Sequence, residues 1–139
     1  MNDHDPEDGK TLLHIAAEKG NERIIFELAG NEPGFEAFVD AVDKRGNTPL
    51  HTAATKCKAS AARFLMSLGA VLEAQNETGS SPLHLAVQSE NLRTTKDLLL
   101  KGANRKSQDS QDNIPENYID TIEDAKLKKS FKAALVSLN

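Results

Sequence analysis

Thr48-Pro49-Leu50-His51-Thr52-Ala53-Ala54 recurs as Ser81-Pro82-Leu83-His84-Leu85-Ala86-Val87, and more loosely as Thr11-Leu12-Leu13-His14-Ile15-Ala16-Ala17. His51 and His84 are 33 residues apart. His14 and His51 are 37 apart, the same period with four residues added. A further 33 residues on, Pro115 matches Pro82, but Asn117 stands in place of the histidine. Self-similarity at such a period marks stacked repeats, each of which buries its apolar face only against its neighbours.

Every copy has the same parts. A glycine turn comes first: Asp8-Gly9-Lys10, Arg45-Gly46-Asn47 and Thr78-Gly79-Ser80. Glycine supplies the backbone freedom of a tight turn. A short helix follows, opened by Thr or Ser, with Pro just inside it in two copies. The hydroxyl caps an orphan N–H and proline has none to leave unpaired. A second helix carries apolar residues at helical spacing: Ile24, Ile25 and Leu28; Ala61, Ala62, Phe64 and Leu65; Leu98, Leu99 and Leu100. Gly69-Ala70 and Gly102-Ala103 close the later two of these helices.

The T/S-P-L-H tetrapeptides at 48–51 and 81–84, the small residues after them, the Leu-Gly-Ala and Lys-Gly-Ala ends and the 33-residue period resemble the ankyrin repeat. The resemblance covers roughly residues 6–138. It implies an all-α solenoid of stacked helix–turn–helix units joined by β-turn fingers. The expected organisation is one domain over 1–139, with repeats at about 6–42, 43–75 and 76–108 and a capping repeat at 109–139. The first copy has Leu12 where the family has proline, as amino-terminal caps often do. The four extra residues fall in Gly30–Phe35. The glycine usual between the two helices is present as Gly20 but replaced by Cys57 and Glu90, which costs stability if those positions keep a positive φ. The fourth copy keeps the turn and a second helix, Lys126 to Leu138, whose lysines suit a face that meets water. Capping character at both ends weighs against a cut from the middle of a longer array.

Composition narrows the function classes. Of 139 residues, 38% are hydrophobic and 27% charged, a soluble globular balance. No apolar run reaches the length of a membrane span, and the acidic start is not a secretory signal. The single Cys57 makes no internal disulfide, which suggests a reducing compartment, cytoplasmic or nuclear. Six aromatics and a net charge of −4 argue against nucleic acid as a partner. The charge is uneven: residues 1–40 hold 10 acidic and 3 basic residues, and the remainder 11 and 14.

No constellation for chemistry is apparent. His14, His51 and His84 occupy equivalent places on helices expected about 8 to 10 Å apart, too far for two of them to share one metal ion. In the family this histidine is structural, its ring nitrogens bonded to turn backbone. Cys57 lies between Lys56 and Lys58 but has no matched histidine in sequence, and Gly-rich phosphate loops and metalloprotease motifs are absent. The expectation is therefore no enzyme, no cofactor and no metal.

What remains is surface. Family members bind partners on the finger tips and the exposed side of the first helices. Carried over by position, this gives Lys10 and Glu18 in the first repeat and Lys44, Arg45, Asn47 and Lys56 in the second. The third contributes Glu77, Thr78, Ser80, Gln88 and Ser89, and the fourth Gln111. Phe35, in the insertion, is a further aromatic candidate. The expected function is a monomeric, non-catalytic module that binds another protein on its concave face, as a regulator or a host-directed effector-type adaptor. The alternative is a targeting or regulatory domain of a larger enzyme or channel. Lys44, Arg45 and Lys56 form the most positive stretch, which favours an acidic or phosphorylated partner segment.

Overall fold

The computed structural model describes residues 8–31 and 39–137. The Gly30–Phe35 insertion lies largely outside that range, and Phe35 and Phe38 wholly outside it. Among the described residues the chain forms α1 (Leu12–Lys19), α2 (Glu22–Asn31), α3 (Pro49–Thr55), α4 (Ala59–Ser67), α5 (Pro82–Gln88), α6 (Leu92–Leu100), a 3-10 helix (Pro115–Thr121) and α7 (Ala125–Ser137). The expected second helix of the fourth copy is thus present, while its first is tightened to a 3-10 helix. Two layers result. In one, α1, α3, α5 and the 3-10 helix pack in succession; in the other, α2, α4, α6 and α7 do the same.

The core runs between the layers. Leu13, Leu50 and Leu83, one from each tetrapeptide, are buried, as are Ile25, Leu65, Leu98 and Phe131 from the second layer. Each such side chain contributes about 1.5 to 3 kcal/mol by leaving water. Ala16, Ala17, Ala53, Ala54, Ala61, Ala62 and Ala86 pack at 0 to 4% exposure between them and let the helices approach closely. Not every apolar residue at helical spacing is inward: Leu100, at the last turn of α6, is 68% exposed.

One side chain per repeat fixes both a helix start and the next turn. Thr11, Thr48 and Ser81 cap α1, α3 and α5, each accepting from the backbone N–H of the histidine three residues on. The histidine reciprocates. Nδ1 of His14, His51 and His84 accepts the backbone N–H of the capping residue at 3.1 to 3.2 Å. This is a capping box with imidazole in the place usually taken by Glu or Gln. Nε2 then reaches the following finger and donates to the carbonyls of Asn47, Ser80 and Asn113 at 2.7 to 2.8 Å. A backbone N–H can only donate and a carbonyl can only accept, so these contacts dictate neutral rings with the proton on Nε2. Asn117 keeps half of the device: its Oδ1 accepts the Ile114 N–H at 2.8 Å. No further finger follows it among the described residues, so the other half has nothing to reach.

The same logic explains where glycine is needed. Successive fingers are joined by backbone hydrogen bonds from Lys44 to Asp8, Glu77 to Arg45 and Ser110 to Thr78, each at 2.9 Å. Gly79 has φ +74°, and a Cβ there would meet Ser110 N at 2.7 Å. The equivalent residue of the last finger is Asp112, at φ 63°. Among the described residues no further finger presses on it, so a side chain meets no such contact there. Between the helices, Cys57 and Glu90 do hold positive φ, at 58° and 57°. Both still complete the helix-ending hydrogen bonds, Lys58 N–H to Ala53 and Asn91 N–H to Ala86. Left-handed backbone at a residue with a Cβ costs roughly 1 to 2 kcal/mol.

Two outcomes are expected in urea denaturation. Glu90→Gly stabilises the chain by about 1 kcal/mol. Gly79→Asp, which copies the residue found at 112, destabilises it by about 1 to 3 kcal/mol. A Gly79→Asp chain as stable as the wild type would contradict the finger-contact explanation.

Acid should also weaken the fold through a buried histidine. Burial pushes the His51 imidazole below its ordinary value of 6.5, against the opposing pull of the Ser80 carbonyl. Below pH 6.5 the unfolded chain takes up a proton that folded His51 refuses. Its contribution is therefore complete above pH 6.5 and declines as the pH falls towards its folded value, by at most about 1.4 kcal/mol per pH unit. The urea midpoint should drop between about pH 7.5 and pH 5.5, and less so in His51→Asn. A midpoint that is flat over this interval would refute the assignment.

Candidate binding face

The fingers and the first helices border a groove of ≈ 470 Å³. Its walls come from the first two repeats. Asp8 and Lys10 arrive on the first finger, Asp43, Lys44, Arg45 and Asn47 on the second, Glu18 from α1, and Thr52, Thr55 and Lys56 from α3 and its end. Six of the candidates that the sequence offers in these two repeats, Lys10, Glu18, Lys44, Arg45, Asn47 and Lys56, therefore line one cavity. Asp43 and Thr52 line it too, although neither was among the candidates.

The fingers are stiff. Asp43 Oδ1 accepts the N–H groups of Arg45 (2.9 Å) and Asn47 (3.0 Å). Asn76 does the same for Thr78 and Ser80, both at 3.0 Å, and Asp109 for Gln111 (2.9 Å) and Asn113 (3.0 Å). Adjacent fingers are also linked by side chains, Asn76 Nδ2 donating to Asn47 Oδ1 at 2.9 Å. The Asn47 amide oxygen is thereby committed to the scaffold although the residue borders the groove.

Charge in the groove is mixed and partly spent internally. Lys10 Nζ donates to Glu18 Oε1 at 3.0 Å and lies 3.9 Å from Asp8. The hydrogen bond to Glu18 raises the Lys10 amine, against partial burial. The hydrogen bond from Lys10 holds the Glu18 carboxyl below its usual range, with help from Lys56. Arg45 and Lys56 are exposed, and among the described residues neither lies within salt-bridge distance of a carboxylate.

The remaining positions are placed differently. Glu77, Thr78, Gln88 and Gln111 are exposed further along the same side and Ser89 is half-buried, but none borders this groove. Ser80 is only 4% exposed, and its hydroxyl meets Thr78 Oγ1 at 3.0 Å, a finger strut. The Cys57 thiol donates to the Ser89 carbonyl at 3.4 Å, joining two repeats. In the last repeat Tyr118 Oη donates to Asp109, and its ring stands edge-on to His84 with centroids 6.2 Å apart. Burial alone would raise the Asp109 carboxyl, but the Tyr118 hydroxyl and the finger N–H groups hold it lower than usual. On the opposite face, Phe26 is 65% exposed and its ring lies 6.2 Å from that of Phe64. Nothing in the sequence pattern had distinguished Phe26 from the buried residues beside it.

Among the described residues no helix is long and apolar enough to cross a membrane. Comparison with known proteins agrees with the architecture. The family model for ankyrin repeats, in three copies, matches residues 13–112. Alpha-latrotoxin-Lt1a of Latrodectus tredecimguttatus is 33% identical over 67 residues, 48% of this chain and 5% of that protein. Alpha-latrotoxin-Lg1a of Latrodectus geometricus is 36% identical over 63 residues, 44% of this chain and 4% of that protein. The chain thus corresponds to a small fraction of the length of these relatives. With the period, the capping histidines, the linked fingers and a family match over most of its length, the chain belongs to the ankyrin-repeat family.

Proposed function

We propose that this chain is a non-catalytic protein-binding module whose partner docks in the concave groove of the first two repeats with an acidic or phosphorylated segment. The observation that carries the reading is the groove itself, where exposed Arg45 and Lys56 stand on a rigid frame. The finger backbone is held by Asp43, and Lys10 and Glu18 are already paired with each other. A partner would therefore order few protein groups on binding, which reduces the entropic cost. Arg45 offers a planar fork of donors to a carboxylate or phosphate, and Lys56 a second positive charge. Exposed Glu77, Thr78, Gln88 and Gln111 extend the surface along the remaining fingers and would set specificity rather than affinity. The reading sets the protein in the cytoplasm or nucleus, acting as a regulator or as a host-directed adaptor.

A second reading has support of its own. The relatives carry their matching stretch as about a twentieth of a much longer protein. On that reading the repeats are a targeting or regulatory domain, with the activity carried by other parts of a larger enzyme or channel.

The test is a capture from cell lysate with the wild-type chain as bait, followed by kinetics on each captured protein. Lys44→Glu combined with Arg45→Glu should slow association by about tenfold or more and flatten its dependence on salt. A partner that associates equally fast with both chains docks elsewhere, and the groove is then not the site.

A further inference from the structure

Val136 and Leu100 are the two most exposed large apolar side chains among the described residues, at 73% and 68%. Both sit at the carboxy-terminal ends of second-layer helices, Leu100 as the last residue of α6 and Val136 in the last turn of α7. These helices are packed neighbours. Their ends are also stapled together, because Arg105, in the turn after α6, donates to the Leu135 carbonyl. The two apolar tips therefore belong to one edge of the solenoid. Val136 stands open there, where its equivalent Ala103 is buried.

Lysines surround these tips. Lys96 lies a turn before Leu100 and Lys101 directly after it, and Lys129 and Lys132 lie about two turns and one turn before Val136. All four are exposed, and among the described residues none lies within salt-bridge distance of a carboxylate. The nearby carboxylates are committed or distant. Asp97 is held by Arg63 at 3.2 Å and faces Arg93 at 3.9 Å. Glu73 accepts the Asn104 N–H at 2.8 Å. Asp120, Glu123 and Asp124 precede α7 at its other end. There Asp120 meets Lys128 at 3.7 Å, and Asp124 caps the helix by accepting the Lys126 N–H at 3.0 Å. From Asp124 to Lys132 is about 12 Å along the helix axis, beyond the Debye length at ordinary salt.

The kind of cation matters as well. A guanidinium fork reads one carboxylate or phosphate at a time. The forks near this edge are spent, Arg63 and Arg93 on Asp97 and Arg105 on Leu135. What remains is ammonium point charges on flexible apolar stems. They suit a diffuse negative field beside an apolar phase better than a single anionic group.

We infer that this edge docks on an anionic lipid surface as a peripheral contact. Lys96, Lys101, Lys129 and Lys132 lie at the headgroups, and Leu100 and Val136 enter the acyl boundary between them. Such a contact needs no spanning helix. The edge belongs to the second layer, so the groove bordered by the fingers and first helices stays open, and the inference does not depend on what binds there.

Vesicle flotation tests this with the full chain, using phosphatidylcholine alone or mixed three to one with phosphatidylserine. Wild type should float with the mixed vesicles only, and less as salt rises. Lys129→Glu with Lys132→Glu should weaken binding by about tenfold or more. Lys19→Glu with Lys58→Glu changes the net charge equally but lies in the first two repeats, and should leave binding unchanged. Leu100→Gln with Val136→Gln should weaken it by about threefold or more, which attraction by charge alone would not show. Circular dichroism confirms that each variant is folded. A wild-type chain that stays unbound overturns the inference, as does a Lys19→Glu/Lys58→Glu chain that loses as much as the Lys129→Glu/Lys132→Glu chain. Release by free glycerophosphoserine or inorganic phosphate would mean a site for one anion, and a preference for poly-glutamate over the vesicles would mean an acidic protein segment. Either result also overturns it.

Discussion

A buried imidazole with one proton and two obligations ties this structure together. In three successive repeats Nδ1 accepts from the N-cap N–H of its own helix, and Nε2 donates to a carbonyl of the next finger. Few side chains can do both. Glu or Gln completes a capping box but does not span to the next turn in the same rigid plane. The ring therefore sets the helix start and the finger position at once, and it carries that relation from repeat to repeat. At Asn117, which no further finger follows among the described residues, a shorter side chain makes only the capping contact.

The fingers inherit their stiffness from this contact and from their own Asp or Asn. Because they are stiff, the charges on them are presented rather than gathered by a ligand. The groove combines two exposed cations, Lys56 and Arg45 (its backbone N–H bonded to Asp43), with a lysine already paired with Glu18. On the proposed function, such a surface would discriminate among partners by charge position more than by total charge, since its sum is close to balanced. The stacking ends follow a separate rule: whatever a repeat normally covers is apolar, and only a cap makes it polar. Lysines meet that requirement at α7, and Leu12 and Ile24 depart from it at α1.

Much of this was legible in the residues. The 33-residue period, the Thr/Ser-Pro-Leu-His order and the glycine turns determine the helix pairs, and the helix ends fall where Thr48, Ser81, Gly69 and Gly102 suggest. Cys57 and Glu90 replace the inter-helix glycine, which implies a cost only if the backbone there keeps positive φ, and both residues do. What could not be read was which exposed charges are already satisfied. The Lys10–Glu18 pair joins residues eight apart in sequence along helix α1, and the Asn47–Asn76 bond links two repeats. Ser80 has the place of a contact residue but lies buried in its finger. Such facts depend on side-chain geometry between elements, for which local pattern has no signal. The same holds for exposed Phe26, whose neighbour Ile25 in the same apolar run is fully buried.

The central claim is the protonation and direction of the three rings, and nitrogen-15 NMR of the histidine side chains reads it directly. At neutral pH, His14, His51 and His84 should each show Nδ1 without a proton and Nε2 with one, as a single tautomer. Rings protonated on Nδ1, or a fast exchange between tautomers, would mean that the imidazoles do not join helix cap to finger, and the account of the solenoid given above would fail.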